Sequence, residues 1–382
     1  MKVALVHDWL TGMRGGERCL ECFCELFPDA PIFTLIYHKG SVSQTIERHS
    51  ILPSVLNRLP FILKQYRFLL PLFPWSIQSF RLEGFDVILS SSHCVAKGVG
   101  VPEGMCHISY VHTPMRYVWD RYDDYFRNGR NSSISRVGMS IFRKRLQRWD
   151  QESNAQVYDF IANSHNVADR IQRRYGRRAS VIHPPVDWEV FEASNNDQGY
   201  YLMVTAFAPY KRVDLAIQAA NQMNLPLKIV GQGQDTAYLK GLAGPTVEFL
   251  GWQSDDHVRE LYRNCRVVLF PGEEDFGIVP LEAMASGKPV IAYGKGGVLE
   301  TVIPVNPRSP RQTEVDPTGV FFYQPKVQSL VEAIQLFETH RKEFLPRALR
   351  AHVEPFDRRH FKERIKSKVM TMYEKFRQSN LC

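Results

Sequence analysis

Long apolar segments are missing from this sequence. A helix needs about eighteen uncharged apolar residues to cross a bilayer, and no such run occurs, so we expect no transmembrane helix. The amino-terminal segment Met1–His7 has the pattern of a buried strand and lacks the features of a cleavable signal peptide. These absences predict a cytoplasmic protein. Peripheral attachment to the inner face of the plasma membrane stays open.

Paired cysteines are missing as well. The seven cysteines stand at positions 19, 22, 24, 94, 106, 265 and 382, an odd number without a second cluster. The pair Cys19 and Cys22 has the spacing of a metal or redox motif, but no Cys or His pair follows at zinc spacing. Because this pair and Cys24 fall in an apolar helical stretch, small core residues are the better interpretation. We expect free thiols and a reducing compartment.

The length and the charge leave several kinds of partner open. A chain of 382 residues exceeds one typical domain core and predicts two domains. The formal net charge of +8 suits nucleic acid, an anionic membrane surface or a phosphorylated substrate. The chain contains no nucleic-acid-binding motif, so we do not expect nucleic acid as a partner.

The first half of the chain begins with a strand, a glycine loop and a helix. The apolar run Val3–Val6 leads into a loop that contains Gly15 and Gly16, and a helical pattern continues to Phe27. This order is typical of the first unit of a doubly wound α/β fold, and the two glycines let backbone approach a ligand closely. The loop is too long for the dinucleotide fingerprint and lacks its third glycine. Glycines that serve only the turn are the alternative.

A histidine follows a later strand of this half. The run from Ile108 to Val111 predicts a strand, and Pro114 prevents its continuation beyond His112. A loop at the carboxyl end of a parallel strand faces the ligand crevice of such folds. His112 is therefore a candidate site residue, with a core histidine as the alternative.

The second half repeats the alternation of strands and helices after the polar linker Asn195–Gly199. Buried apolar runs alternating with helices predict a parallel sheet covered on both faces. The expected strands are Tyr201–Val204, Leu227–Val230, Val247–Leu250, Val267–Phe270, Pro289–Ala292 and Gly319–Phe322.

The stretch Phe270–Ala292 carries the strongest chemical signal. It predicts a strand, a turn, a short helix with Pro280 in its first turn, and a second strand. Glu274 lies before the helix and Glu282 within it, with the N–H groups of the first turn between them. A helix amino terminus attracts anions, whereas carboxylates accept hydrogen bonds from sugar hydroxyls. A sugar nucleotide combines these groups; a solvated acidic turn is the alternative.

Several motifs in order resemble those of the retaining glycosyltransferases of family 4. They are Glu274-x7-Glu282, then Ala285–Val290, then Gly296–Glu300. The resemblance implies the α/β glycosyltransferase B fold, with two doubly wound Rossmann-like domains facing a cleft. The acceptor-side domain would comprise residues 1–190 and a C-terminal helix at about 360–382, and the nucleotide-sugar-binding domain residues 191–359.

The resemblance also implies a role for each candidate residue, which we take as expectations. Glu274 would hold hydroxyls of the transferred sugar, His112 would lie by the anomeric carbon, and Glu282 would hold the ribose. The remaining donor-binding residues would be Gly15, Gly16, Lys211, Phe276, Gly277 and Ile278.

The sequence lacks an arginine that the family has near Lys211, and it lacks an Asp-x-Asp pair for a metal ion. The family has an arginine five residues before the lysine, and here Ala206 stands there, with Arg212 as a possible substitute. No Asp-x-Asp pair follows a strand, and the helix dipole and Lys211 already supply positive charge for a diphosphate. We expect no metal and no cofactor beyond the nucleotide-sugar co-substrate.

The motif that begins at His112 resembles a subset of the family that builds bacterial surface polysaccharides, often with mannosyl donors. This resemblance favours GDP-mannose as the donor. The stretch 51–81 alternates apolar and aromatic residues with Arg58, Lys64, Arg67 and Arg81, which suits a membrane interface and a lipid-linked acceptor. A segment that covers the core is the alternative. A sugar-nucleotide epimerase and a non-catalytic basic binding protein are the rival functions.

Overall fold

The structure is a computed structural model, and it describes residues 1–60, 62–119, 133–305 and 316–380. The chain divides into two compact units. Unit 1 comprises Met1–Pro185 with Arg359–Cys382, and unit 2 comprises Val186–Arg358.

The expected boundary between residues 190 and 191 falls inside unit 2. The N–H of Val186 donates to the carbonyl of Phe356 at 3.0 Å, and Nε1 of Trp188 donates to the carbonyl of Arg350 at 3.0 Å. The guanidinium of Arg350 also lies 3.9 Å from the centre of the Trp188 ring. These contacts tie residues 186–190 to the last part of unit 2.

Unit 1 is built on a seven-stranded parallel sheet. The strands occur in the spatial order β3-β2-β1-β4-β5-β6-β7. Their bounds are β1 Val3–Leu10, β2 Ile32–Tyr37, β3 Ile51–Pro53, β4 Val87–Ser92, β5 Cys106–Val111, β6 Asp159–Ala162 and β7 Ala179–Val181.

Helices connect these strands and cover the sheet. The α-helices of unit 1 are α1 Gly15–Leu26, α2 Gln44–Glu47, α3 Ile62–Gln65, α4 Phe73–Gln78, α5 Ser133–Glu152, α6 His165–Tyr175 and the C-terminal α13 Arg358–Ser379. Short 3-10 helices span Val55–Arg58, Tyr66–Leu72, Ala96–Gly98 and Ser153–Gln156.

Strand β1 shows how the sheet is buried. All eight of its residues are buried. Val3 and Leu5 belong to one apolar cluster, whereas Ala4 and Val6 belong to another. Because alternate side chains of a strand point to opposite faces, both faces of this sheet are covered. The doubly wound α/β fold predicted for this half of the chain is confirmed.

Unit 2 repeats this design with a six-stranded parallel sheet in the order β10-β9-β8-β11-β12-β13. The strands are β8 Tyr201–Val204, β9 Leu227–Val230, β10 Val247–Gly251, β11 Val267–Phe270, β12 Val290–Tyr293 and β13 Gly319–Phe322. All six expected strands are present, with bounds that differ from the prediction by at most one residue. The α-helices are α7 Val213–Met223, α8 Thr236–Leu242, α9 Asp255–Asn264, α10 Ile278–Ala285, α11 Val327–His340 and α12 Pro346–Val353.

Both sheets have a point where the direction of winding reverses. In unit 1 this point lies between β1 and β4, and in unit 2 it lies between β8 and β11. The loops that leave the carboxyl ends of such neighbouring strands diverge and leave room for a ligand. The loops after β1, β4 and β5 and those after β8 and β11 are therefore the places to search for a site.

The stretch 51–81 covers the core on one side and exposes apolar residues on the other. Leu56, Ile62 and Phe73 are buried in a core cluster. The exposed apolar residues, called here the outer apolar residues, are Leu52, Val55, Leu59, Leu63, Leu72 and Trp75. Arg58 and Arg81 are also exposed, and the side chains of Lys64 and Arg67 lie outside the described part. The segment thus covers the core without excluding contact with a membrane.

Among the helices of the described ranges, none has the length and apolar content needed to span a bilayer. The six cysteines in those ranges are all buried and form no disulfide with one another.

Candidate active site

The loop after β11 holds the expected site residues of unit 2. The helix α10 begins at Ile278, directly after Gly277, whose φ of +90° lies in the left-handed region. A side chain would be strained in that conformation, so glycine suits the position. Phe276, Gly277 and Ile278 therefore stand at the amino end of a helix, where N–H groups lack intrahelical acceptors. Pro280 lies in the first turn, as predicted.

Two glycines of the later motif hold the backbone at Glu274. The N–H of Gly297 donates to the carbonyl of Glu274 at 2.9 Å. A Cβ atom on Gly296 would lie 2.4 Å from that same carbonyl oxygen, and one on Gly297 would lie 2.2 Å from the carbonyl oxygen of Asp275. Both distances are far inside van der Waals contact. Any larger residue would push the loop away, so the glycine pair fixes the position of Glu274.

Glu274 and Lys211 form an ion pair in this structure, and both side chains are mostly buried. Lys211 ends the 3-10 helix Pro209–Lys211, which follows β8. Gly272 makes the approach possible, because a Cβ atom there would lie 2.8 Å from Cα of Lys211. The family resemblance implied that Lys211 binds the diphosphate of the donor and Glu274 its sugar. The structure places them side by side.

Glu282 is held by a buried tyrosine. The hydroxyl of Tyr262 donates to Oε2 of Glu282 at 3.0 Å. Burial and the neighbouring Glu282 raise the pKa of Tyr262 well above its ordinary value, so the phenol stays protonated and remains a donor. Half-buried Glu282 is thereby fixed in orientation on α10.

Arg212 is engaged by a neighbour. Its Nε and Nη2 atoms both donate to the carboxylate of Asp214, each at 3.1 Å. Ala206 is exposed. Arg212 was the suggested substitute for the arginine that is missing at Ala206. In the described structure its guanidinium is instead paired with Asp214 through two hydrogen bonds.

The expected site residues of unit 1 lie together at the carboxyl end of its sheet. Gly15 and Gly16 open α1, and His112 directly follows β5. A Cβ atom on Gly16 would lie 3.6 Å from Nε2 of His112 and 3.6 Å from Cε1 of His7. Glycine thus keeps the space beside both imidazoles open. These residues form one group, and Lys211 with residues 274–282 forms another group in unit 2.

Sequence reasoning missed a buried polar network around His112. Oγ of Ser91 lies 2.9 Å from Nε2 of His112 and 3.0 Å from Nδ1 of His7. His7 and Ser91 are completely buried, and Glu17 is nearly so. Polar residues inside an apolar strand pattern were the available signal, because a buried polar side chain has to be paired.

The carboxylate of Asp8 holds the loop that follows β4. Its Oδ2 accepts hydrogen bonds from the N–H groups of His93 at 2.7 Å and Cys94 at 2.9 Å. Its Oδ1 accepts from those of Val95 at 2.6 Å and Ala96 at 2.8 Å. Four donors on one buried carboxylate fix the loop rigidly against β1.

The imidazoles of His93 and His112 are neutral at ordinary pH. Burial lowers the pKa of His93 to about 3. Burial is the main cause that lowers the pKa of His112 well below its ordinary value. Neutral His112 has one nitrogen that donates and one that accepts, so its tautomer decides what it can bind.

Solved structures with related architecture support the expected fold class. Anabaena HepE in complex with UDP matches with a TM-score of 0.69 and 18% identity, covering 97% of this chain and 100% of that chain. A sucrose-phosphate synthase from Thermosynechococcus elongatus matches with a TM-score of 0.73 and 16% identity, covering 98% of this chain and 100% of that chain. Two doubly wound parallel-sheet units with these neighbours define the glycosyltransferase B fold.

Two family profiles match consecutive parts of the sequence. Glycosyltransferase Family 4 matches residues 15–190, and Glycosyl transferases group 1 matches residues 187–351. The chain therefore belongs to the family 4 (group 1) glycosyltransferases. The rival interpretations, an epimerase and a non-catalytic binding protein, are not favoured by these matches.

Curated relatives share shorter segments. An uncharacterized glycosyltransferase of Methanocaldococcus jannaschii is 32% identical over 148 residues, which cover 37% of this chain and 42% of that protein. The D-inositol 3-phosphate glycosyltransferase of Mycobacteroides abscessus is 29% identical over 165 residues, covering 36% and 37%. The alpha-1,3/1,6-mannosyltransferase ALG2 of Candida glabrata is 46% identical over 66 residues, covering 17% and 14%. The chain thus spans at most 42% of the length of these relatives.

Proposed function

We propose that this protein transfers a hexosyl group from a nucleotide sugar to an alcohol, with retention at the anomeric carbon. The observation that carries the proposal is the pairing of Glu274 and Lys211 beside the amino end of α10. In the reaction the bond between the anomeric carbon and the diphosphate oxygen breaks, and the acceptor oxygen bonds the anomeric carbon. The hydroxyl proton is released with the nucleoside diphosphate.

The residues of unit 2 would bind the donor. Lys211 and the N–H groups near Phe276, Gly277 and Ile278 would stabilise the negative charge that develops on the leaving diphosphate. Glu282, oriented by Tyr262, would hold the ribose hydroxyls. Glu274 would hold hydroxyls of the transferred sugar.

The residues of unit 1 would bind the transferred sugar and leave room for the acceptor. His112 would accept a hydrogen bond from the sugar and favour positive charge at the anomeric carbon. Gly15 and Gly16 would allow donor and acceptor to approach the backbone of α1 closely.

For the donor we propose GDP-mannose and a reaction without a metal ion. The motif at His112 and the mannosyltransferase among the relatives support mannose. The complex of the distant relative HepE with UDP makes a uridine donor the second candidate. A metal is not required in this proposal, because Lys211 and the helix dipole supply the positive charge for the diphosphate.

Thermal unfolding of the purified protein in the presence of EDTA tests the donor proposal. A ligand that binds only the folded state raises the melting temperature, by an amount that grows with its concentration above Kd. GDP and GDP-mannose are expected to raise it, with the corresponding uridine and adenosine compounds as controls. If only uridine compounds raise the melting temperature, the proposal of GDP-mannose as the donor is wrong. If the increase requires Mg²⁺, the proposal of a metal-free reaction is wrong. No shift with any of them would contradict a nucleotide-sugar donor.

We also propose that the acceptor is a lipid-linked sugar or glycan of bacterial surface polysaccharide synthesis, reached from an anionic membrane surface. The support is the outer apolar residues together with exposed Arg58 and Arg81. No acidic residue occurs between Arg58 and Arg81 to repel anionic lipid. Apolar side chains flanked by cations suit the interface of such a membrane.

Sedimentation with vesicles tests this membrane contact. The protein is expected to bind vesicles that contain phosphatidylglycerol and not vesicles of phosphatidylcholine alone. The Leu72→Ser/Trp75→Ser variant is expected to lose binding, because both side chains are exposed and cost little folding energy to replace. Trp252→Ser, which changes an exposed tryptophan of unit 2, is the matched control. Equal binding by the double variant would contradict the assignment of this surface.

A further inference from the structure

Half-buried His112 is the last member of a chain of side chains in unit 1 whose other members are buried. Oε1 of Glu17 lies 3.7 Å from Nε2 of His7, which is longer than a hydrogen bond but close enough for attraction between a carboxylate and an N–H group. Nδ1 of His7 lies 3.0 Å from Oγ of Ser91, which lies 2.9 Å from Nε2 of His112. The chain therefore runs from Glu17 through His7 and Ser91 to His112.

Ser91 couples the hydrogen positions of the two imidazoles. A serine hydroxyl has one hydrogen to donate and lone pairs that accept. If Ser91 donates to one imidazole nitrogen, the nitrogen of the other ring has to carry a hydrogen and donate to Ser91. The tautomer of neutral His112 is thus linked to that of His7.

Glu17 selects one of the two arrangements. Burial raises the pKa of Glu17, but the interaction of its carboxylate with His7 and a backbone hydrogen bond lower the pKa by more, so the net shift is downward and the carboxylate is ionised. A carboxylate favours the tautomer of His7 that carries its hydrogen on Nε2, because that hydrogen faces the negative charge. Nδ1 of His7 then accepts the hydrogen of Ser91, and Ser91 accepts the hydrogen on Nε2 of His112.

We propose that Glu17 and His7 are positioning residues that hold His112 in the tautomer with its hydrogen on Nε2 and a lone pair on Nδ1. The role of this lone pair rests on the proposed function. Nδ1 accepts a hydrogen bond from a hydroxyl of the transferred sugar, and its negative potential favours positive charge at the anomeric carbon. The opposite tautomer presents an N–H group, which repels that charge.

The surroundings of the chain leave Glu17 as the group that decides the tautomer. The ring of His93 lies 5.8 Å from that of His7 and 6.4 Å from that of His112, and it is neutral. The carboxylate of Asp8 is engaged by four N–H groups and by His93. The charge of Arg116 also lowers the pKa of His112, which keeps that ring neutral.

Nitrogen NMR of the full chain labelled with ¹⁵N-histidine tests the tautomer directly. The signals of His112 are assigned from those missing in the His112→Asn variant. In the unsubstituted protein Nε2 of His112 is expected to carry the hydrogen, and Nδ1 is expected to show the shift of an unprotonated nitrogen. A hydrogen on Nδ1 would overturn the proposal. This measurement does not depend on catalysis, so it stands or fails separately from the proposed function.

The variant Glu17→Gln is expected to reverse the tautomer. Oε2 of Glu17 accepts the N–H of Arg14 at 3.1 Å, so the amide oxygen of glutamine takes that place and its NH₂ group faces His7. His7 then carries its hydrogen on Nδ1, and His112 does the same. Ser91→Ala removes the coupling and is expected to give a mixture of both tautomers. An unchanged tautomer in both variants would overturn the coupling.

Ser90→Ala is the matched control. Ser90 is the buried neighbour of Ser91 on β4, and its Oγ lies 2.9 Å from Nε2 of His107. This change is expected to leave the His112 signals in place, and an equal effect of both serine variants would indicate general disturbance of the sheet. If the purified Glu17→Gln variant is unfolded by circular dichroism, Ser91→Ala alone decides the outcome.

A kinetic readout separates positioning from folding. Glu17→Gln is expected to lower kcat by roughly 10²-fold with little change in the KM of the donor, because the nucleotide is bound by other residues. The loss should be smaller than the ~10⁴-fold effect of a wrong tautomer in a hydrolase triad, since His112 transfers no proton in this proposal. Glu17→Asp keeps the charge and is expected to recover part of the rate. A change in KM alone would contradict the role.

Discussion

Replacement of Glu274 by glutamine is expected to lower the rate of sugar transfer by roughly 10³-fold, the scale observed when one preorganised electrostatic contact to a reacting centre is lost. Glutamine has almost the same shape but lacks the negative charge. Binding of the nucleoside diphosphate should remain intact or become tighter, because Lys211 loses its ion pair with Glu274 and is free to bind the phosphates. Transfer kinetics and calorimetric titration with GDP and UDP measure the two effects separately.

The neighbouring Glu273 supplies the control for this experiment. Its carboxylate lies 3.3 Å from Nζ of Lys295, and Lys295 is largely exposed. Glu273→Gln therefore removes one charge from the same loop and is expected to change transfer by less than about threefold, because its partner Lys295 is largely exposed and solvent screens the pair. Near-normal turnover by Glu274→Gln would contradict the role of Glu274 in catalysis.

Replacement of Lys211 by methionine is expected to lower kcat/KM by roughly 10²- to 10³-fold and to weaken binding of the nucleoside diphosphate. Methionine keeps the length of the side chain and removes the charge that, in the proposed function, would stabilise the leaving diphosphate. In the proposed function Lys211 would pass from Glu274 to the diphosphate when the donor binds, and the variant also leaves Glu274 without its cation. The affinity for the free nucleoside should change little, because that ligand has no phosphate.

A double-mutant cycle identifies the shared origin of these effects. The combination of Lys211→Met and Glu274→Gln is expected to be less harmful than the product of the single changes, because each single change leaves an unpaired charge. Lys228→Met is the control: Lys228 lies on β9 and pairs with exposed Glu248 at 3.9 Å. An unchanged affinity for diphosphates in Lys211→Met would contradict the assignment of Lys211.

The sequence predicted the architecture because its signals are local. Most strands of unit 2 are apolar runs, with Lys228 of β9 and Glu248 of β10 as the charged exceptions, and apolar runs are typical of strands buried on both faces of a parallel sheet. The spacing of Glu274, Pro280 and Glu282 likewise predicted a loop followed by a short helix, because proline and glycine set backbone conformation at their own positions.

The network around His112 depends instead on the register between strands. His7 of β1 stands opposite Ser91 of β4, and Ser92 stands opposite Val111, the residue before His112. These positions are 84 and 19 residues apart in the chain. Without the strand pairing, the sequence does not show that these residues are neighbours. His112 was therefore predicted as a site residue, but its partners His7 and Ser91 were not.

The ion pair between Lys211 and Glu274 could not be predicted from the local sequence either. The ion pair with Glu274 forms because Gly272 lets two loops approach within contact of each other. Similarly, the pairing of Arg212 with Asp214 depends on the backbone of Arg212, whose φ of +51° turns it into the left-handed region. The residue types show which side chains are charged, but the loop geometry determines which of them form ion pairs.

Analysis of the reaction product tests the central proposal most directly. The purified protein is incubated with ¹³C-labelled GDP-mannose, UDP-glucose and related donors together with a bacterial lipid extract, and the products are examined by NMR. A new glycoside whose anomeric configuration is the same as that of the donor is expected, together with an equal amount of nucleoside diphosphate. Inverted configuration would contradict retention, and a free, altered nucleotide sugar without any glycoside would show an epimerase instead.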